Sequence, residues 1–273
     1  MKVFISADLE GVAGVVHEEH VKRDGREHDR ARKLMTQEVN AAIEGALKVG
    51  ATEILVNDSH GTMRNIIPEE LHEAAKLITG SPKPLSMMQG IDNTFDAAFF
   101  IGYHAMASAF PSVLGHTYYG RVVYNLKVNN KVIGKTGLNA AIAGYYDVPV
   151  ALVTGDETVT KEAIDFLGKV ETVAVKKAIG RYAAQSLTPS EAKKLIKEAA
   201  SKVLRRVDEF KPFKLKPPIT FEIDFINTGM TEAALLVPGV KQVGSRTVTY
   251  TSDDLITAFK AFKAVIMLAG LTL

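Results

Sequence analysis

Among its 273 residues the chain has no cysteine. This excludes disulfides and thiolate chemistry and leaves histidine, carboxylate or carbonyl groups to hold any metal. The same absence fits a reducing cytoplasm, which is the expected location. Excess charge of either sign is also missing. Lys and Arg number 33 against 31 Asp and Glu, a net +2, and no basic block stands out. Nucleic acid and anionic membrane are therefore not expected partners. No uncharged run approaches the roughly 18 apolar residues of a membrane span. The N-terminus reaches Asp8 too soon to contain the apolar stretch of a signal peptide. Repeats and low-complexity tracts are absent as well.

What is present is apolar residues enough for a large core, 47% of the chain, arranged as a repeated strand–loop–helix pattern. The first strand, Val3-Phe4-Ile5-Ser6-Ala7, runs straight into Asp8-Leu9-Glu10-Gly11. Residues two apart in an extended segment face the same way, so Asp8 and Glu10 aim at one point. Two like charges so placed call for a cation, unless they are a solvated strand end. A helix follows over about 28–49, with Leu34, Met35, Val39, Ile43 and Leu47 at helical spacing. A second strand, Ile54-Leu55-Val56, ends in Asn57-Asp58-Ser59-His60-Gly61, and a helix is expected from Pro68 to about Ile78. A third strand, 97–102, ends in Tyr103-His104. The pattern predicts an α/β fold, a largely parallel sheet flanked by helices, whose ligand site lies beyond the strand ends. Asp8, Glu10, His60 and His104 would all gather on that rim, as a metal site. Singly, a histidine after a strand is more often a hydrogen-bonded structural residue than a ligand; jointly the strand ends point to a metal. Gly11, Gly61 and Gly102 beside them allow tight turns.

Beyond this lie a long irregular segment holding His116, a hairpin (122–128 and 131–133) turning at Asn129-Asn130, a helix over 136–145 and a strand over 148–154. Asp156 is expected to cap the next helix. The division predicted is a metal-binding catalytic domain over 1–156 and a smaller α/β domain over 157–273 for packing, specificity or assembly. The second part opens with a short strand (172–175) and a helix over 188–210 started by Thr188-Pro189-Ser190-Glu191. An extended, proline-rich segment (211–218) leads to strands over 219–225, 240–243 and 247–251 and a last helix to about 268. His17 and His20 lack the i, i+4 spacing of a zinc helix, and with His28 and His72 they are expected at the surface.

Taken together, Ser6-x-Asp8-x-Glu10-Gly11, Asn57-Asp58-Ser59-His60, Gly102-Tyr103-His104-Ala105, Gly115-His116 and Gly137-Leu138-Asn139-Ala140 resemble the D-aminopeptidase family, peptidase family M55. The resemblance implies a two-zinc hydrolase that releases N-terminal D-amino acids from short peptides. It further implies a ring-like homo-oligomer, a decamer in the family's type member. By position, Asp8 would bridge two metals, Glu10 and His60 would complete one site, His104 would serve the other, and His116 would be catalytic. The family has a glutamate as its last ligand where this sequence has Lys135, and residues 97–146 contain no Asp or Glu to replace it. Three readings follow: the Lys135 ammonium replaces the second zinc, the peptidase activity is lost, or Lys135 is carbamylated. Asp156 and Glu157 are the local substitutes for the missing ligand. A non-catalytic peptide-binding protein and a metal-dependent amidase or phosphoesterase are the competing functions.

Overall fold

In β1 (Lys2–Ala7) the side chains of Val3, Phe4 and Ile5 are all buried, because the strand is central and covered on both faces. The computed structural model describes residues 1–273. On either side of β1 lie β2 (Glu53–Asp58) and β4 (Ala97–Tyr103), both parallel to it, with Val3 opposite Ile54 and Ala97. Outward from β2 is β3 (Ala75–Ile78). Outward from β4 are β7 (Val150–Asp156), β8 (Glu171–Gly180) and β9 (Ala183–Ser186). Only the last pair is antiparallel. Helices α1 (Glu18–Val21), α2 (His28–Leu47) and α4 (Glu157–Leu167) lie between strands of this sheet, α3 (Lys135–Tyr145) leads into β7, and α5 (Pro189–Leu204) follows β9.

The second sheet has the order β11-β12-β10-β5-β6 and is antiparallel throughout. It is built from β5 (Val123–Val128), β6 (Lys131–Val132), β10 (Ile219–Phe225), β11 (Lys241–Gly244) and β12 (Thr247–Ser252). With it go α6 (Thr228–Ala234) and α7 (Leu255–Gly270). Alternation along β10 buries Ile219, Phe221, Ile223 and Phe225 on one face. Each fully buried phenylalanine contributes about 1.5–3 kcal/mol. Phe221 stacks on Phe262 of α7, with ring centroids 5.3 Å apart. This core is continuous with the side of the first sheet that carries Phe4 and Phe100. The opposite side is filled by α2 and α5, through Met35, Val39, Ile43, Ile196 and Val203.

The parallel sheet, the 129–130 hairpin turn, the Thr188 and Asp156 caps and the last helix all stand as expected. Three expectations do not. Residues 68–78 are not a helix: a 3₁₀ turn at Pro68–Glu70 leads into β3. Pairing with β2, Ile54 opposite Ala75 through Asn57 opposite Ile78, overrides local helix preference. His20 and His28 are buried rather than at the surface. His20 Nδ1 accepts from the Val16 amide at 3.0 Å, and the ring of His28 bonds the His20 carbonyl at 3.1 Å. Sheet membership, finally, crosses residue 156 in both directions. The hairpin of β5 and β6 precedes it yet joins the second sheet, while β8 and β9 follow it and extend the first. The cause is pairing: β10 is a strand partner for β5, and β7 is one for β8.

Candidate active site

The C-terminal ends of β1, β2 and β4 deliver the acidic and imidazole groups, and α3 closes the rim. Asp8, Glu10, His60, His104 and Lys135 are all buried; His116 is partly exposed on its loop. Two ligand groupings form, Asp8–Glu10–His60 and Glu10–His104–His116, each with donor atoms within 4.8 Å of one another. His60 Nδ1 lies 3.0 Å from Glu10 Oε2 and 3.5 Å from Asp8 Oδ1. His104 Nε2 lies 3.8 Å from Asp8 Oδ2 and 3.9 Å from Glu10 Oε2. His116 Nε2 is 3.8 Å from Glu10 Oε1, and its ring centroid is 4.3 Å from that of His104.

Each imidazole is held by its other nitrogen. His60 Nε2–H donates to the Val21 carbonyl at 2.8 Å, His104 Nδ1–H to Ala105 at 2.9 Å and His116 Nδ1–H to Leu114 at 2.9 Å. In the metal-free protein His60 Nδ1 also carries a proton, donated to Glu10, while His104 and His116 turn a lone pair toward the carboxylates. Each ring keeps a proton on the carbonyl side, because a carbonyl can only accept. This is the outer hydrogen bond that metal-ligating histidines carry. His104 Nε2 has no hydrogen-bond partner at all despite full burial. An orphaned buried nitrogen facing two carboxylates is explained by an ion between them. The donor set of Asp8, Glu10 and His60 thus fits one divalent cation, with His104 facing the same two carboxylates.

The fit does not extend to a second ion beside Asp8. Lys135 opens α3, and its Nζ donates to Asp8 Oδ2 at 2.8 Å and sits 3.4 Å from His116 Nε2. A cationic side chain at a helix N-terminus opposes the helix dipole, and the Asp8 carboxylate offsets it. Asp156, the alternative local ligand, is spent on capping α4, accepting from the Thr158 and Val159 amides at 2.9 Å.

The charges set the protonation states. Burial opposes ionisation of Glu10, but His60 and Lys135 more than offset it and hold the carboxyl well below its usual range. Burial likewise opposes the imidazolium of His60, and Glu10 and Asp8 reverse this, raising it well above normal. Burial and the Lys135 charge push His104 well below the usual range and His116 down to about 4.

Beneath the charged groups lies a neutral floor that the sequence reading did not assign. Ser6 Oγ bonds Ser59 Oγ at 2.8 Å and the Tyr103 hydroxyl at 2.7 Å. Asn139 Nδ2 donates to Tyr103 at 2.8 Å, and the Tyr118 hydroxyl donates to Asn139 Oδ1 at 2.5 Å. Four of these residues stand one or two positions from Asp8, His60 and His104, or in the Gly-Leu-Asn-Ala stretch. The network therefore locks together the strand ends that carry the ligands. Lys176 of β8 adds a second brace, its ammonium donating to the carbonyls of Glu10, Val12 and Val15 at 2.5–2.9 Å. Gly11 is required for closeness rather than for turning. Its amide donates to the Gly102 carbonyl at 2.8 Å, and a Cβ there would lie 1.8 Å from the Tyr103 carbonyl oxygen. Gly102 does adopt the left-handed region, at φ +70°.

The family model for D-aminopeptidases, Peptidase_M55, matches residues 1–264. This chain belongs to the D-aminopeptidase family. It is 41% identical over 271 residues to the D-aminopeptidase of Bacillus subtilis (strain 168), covering 98% of both chains. Its structure superposes with a TM-score of 0.96 on one described as the Zn-dependent D-aminopeptidase DppA from Bacillus subtilis, a self-compartmentalizing protease. That match has 40% sequence identity and covers 99% of this chain and 98% of the other. Family membership and the α/β fold expected from the sequence motifs are both borne out. In this chain the Lys135 ammonium sits against Asp8 at the edge of the cluster of carboxylates and imidazoles.

Proposed function

We propose that this protein is a zinc-dependent aminopeptidase that releases N-terminal D-amino acids from short peptides, working with one zinc ion per chain. The observation that carries the reading is the set of three imidazoles, each tied to a backbone carbonyl by one nitrogen and turning the other toward the Asp8 and Glu10 carboxylates. Asp8, Glu10, His60 and His104 hold the ion. When bound, the zinc acts as a Lewis acid on the scissile carbonyl and activates water for attack at neutral pH.

The protein's own groups do the remaining work. Neutral His116, its tautomer set by the Leu114 carbonyl, presents Nε2 to the reacting centre and carries the proton from the attacking water to the leaving amine. The Lys135 ammonium, 3.4 Å from that nitrogen, places a fixed positive charge where the carbonyl oxygen becomes negative. The carboxylates of Asp8 and Glu10 attract the substrate's α-ammonium. The hydroxyl and amide floor keeps these groups from drifting apart. The second sheet and its helices serve packing, substrate selection and assembly. A ring-like homo-oligomer, a decamer, and a cytoplasmic location belong to the same proposal, checked by sedimentation and by cell fractionation. Support for assembly comes from the self-compartmentalizing relative and from exposed Phe110, Leu236 and Leu271.

The test is metal analysis of the purified protein together with hydrolysis of D-alanyl-D-alanine and D-alaninamide, repeated on Lys135→Glu. One zinc per chain with turnover is expected, rising to two in the variant. Two ions in the unmodified protein refute the one-zinc arrangement. Zinc binding with no turnover of either substrate refutes catalysis and leaves peptide binding as the function.

A further inference from the structure

The site cavity, about 140 Å³, is lined by Asp8, Glu10, His60, His116 and Lys135, and also by Lys263 of α7. Lys263 has no role in the site chemistry described above. Its half-buried side chain makes no hydrogen bond and no ion pair; its ammonium lies 5.2 Å from the centre of the Tyr118 ring. From there the cavity opens into a groove of about 670 Å³ that shares Gly61, Met63, Ser86 and Lys263 with it. Three lysines and no acidic residue line this groove: Lys83, Lys260 and Lys263. The Lys83 ammonium is already committed to Asn57 and the Asp58 carbonyl, and Lys260 is exposed at the rim. Lys263 is the free cation nearest the metal ligands on this side. A half-buried ammonium whose one protein neighbour is an aromatic face, with no hydrogen-bond acceptor, is a place for an anion.

Resting on the aminopeptidase reading, we infer that Lys263 binds the free C-terminal carboxylate of a short peptide substrate and so selects dipeptides over longer or amidated peptides. With the substrate's α-ammonium at the acidic end of the cavity, an extended dipeptide of about 7 Å runs across it. Its carboxylate then meets the Lys263 ammonium, which lines the same cavity. Burial pushes the Lys263 pKa down to about 8, which leaves it charged at neutral pH. The other groove beside His116 offers Arg121, but that residue is exposed and does not line the site cavity, and Glu10 and Glu18 share its groove. A carboxylate is better received where no acidic group competes.

The experiment compares kcat/KM for D-alanyl-D-alanine and D-alanyl-D-alaninamide in the zinc-loaded wild type, Lys263→Met, Lys263→Arg and Arg121→Gln. A charge-assisted hydrogen bond to the carboxylate predicts a roughly 10- to 100-fold preference for the free acid, expressed in KM. Lys263→Met brings that ratio close to one, Lys263→Arg restores part of it, and Arg121→Gln keeps it. Absence of the preference in the wild type, or its survival in Lys263→Met, overturns the inference while leaving the peptidase reading intact. If neither substrate is turned over, the peptidase reading fails, and calorimetry with D-alanyl-D-alanine decides the subsite alone. Binding at least about 10-fold weaker in Lys263→Met upholds it; equal affinity, or no binding to the wild type, rejects it. Thermal melting of Lys263→Met confirms that the variant is folded.

Discussion

Replacing Lys135 with methionine separates the structural role of its charge from everything else at the site. The side chain keeps nearly the same length, so packing at the start of α3 is preserved while the ammonium disappears. In the metal-free protein that ammonium is the cation closest to Asp8, at 2.8 Å from Oδ2, and both groups are buried. Removing one partner of a buried ion pair costs about 3–5 kcal/mol, because the other charge stays buried alone. For a chain of this size each kcal/mol lowers Tm by about 2–4 °C, so Lys135→Met in excess chelator should melt roughly 6–20 °C below the wild type. Zinc at 100 times its dissociation constant stabilises a single-site protein by about 2.7 kcal/mol. A dication next to Asp8 supplies what the ammonium supplied, so zinc should raise the variant's Tm by more than it raises the wild type's. Differential scanning calorimetry with and without chelator measures both quantities. Equal melting of the two chelated proteins would falsify the view that Lys135 is what compensates Asp8.

Three further outcomes follow from the same contacts. Glu38 is buried with Oε2 unpartnered, and burial raises its pKa from 4.5 to about 7. A folded-state pKa above the unfolded one means stability present below 4.5 and lost as pH rises through 7, by about 3 kcal/mol at most. Lys176 nearby, at about 8, stays charged across this window; denaturant titrations at pH 4.5–7 should therefore show a steeper decline for wild type than for Glu38→Gln. His104→Leu removes the orphaned nitrogen and should weaken zinc affinity by more than the roughly 10- to 100-fold that loss of an outer hydrogen bond costs, measured by competition with a fluorescent chelator. Unaltered affinity would exclude His104 as a ligand. Tyr103→Phe strips the shared hydroxyl from Ser6 and Asn139 and should cost about 1–3 kcal/mol of unfolding free energy, a change too small to see only if water replaces the hydroxyl.

How much of this was legible in the sequence depends on which interactions decide each feature. Asp8, Glu10, His60 and His104 could be placed together because a parallel sheet gathers its strand ends, and strand ends are readable from short apolar runs. Lys135 stood out because it reverses a charge within a motif. β3 was misread because nothing inside residues 68–78 distinguishes an edge strand from a weak helix; the pairing with β2 decides it, and that partner lies outside the segment. The hydroxyl floor was invisible for a different reason. Ser6, Ser59, Tyr103 and Asn139 are ordinary polar residues, and their shared role exists only after four elements converge. Lys263 is farther still from local signals, since the packing of α7 on the second sheet is what carries its side chain to the first sheet's rim.

The floor under the ligands divides the site into two kinds of group. Above it, every residue that faces the reacting centre carries or exchanges a proton. Below it, alignment is entrusted to two serines, an asparagine and two tyrosines whose hydroxyls burial makes harder still to ionise. Acidification can thus empty the site of its cation by protonating the ligands while their frame stays assembled. Loss of activity at low pH should accordingly reverse on neutralisation and reloading with zinc, with no refolding step between.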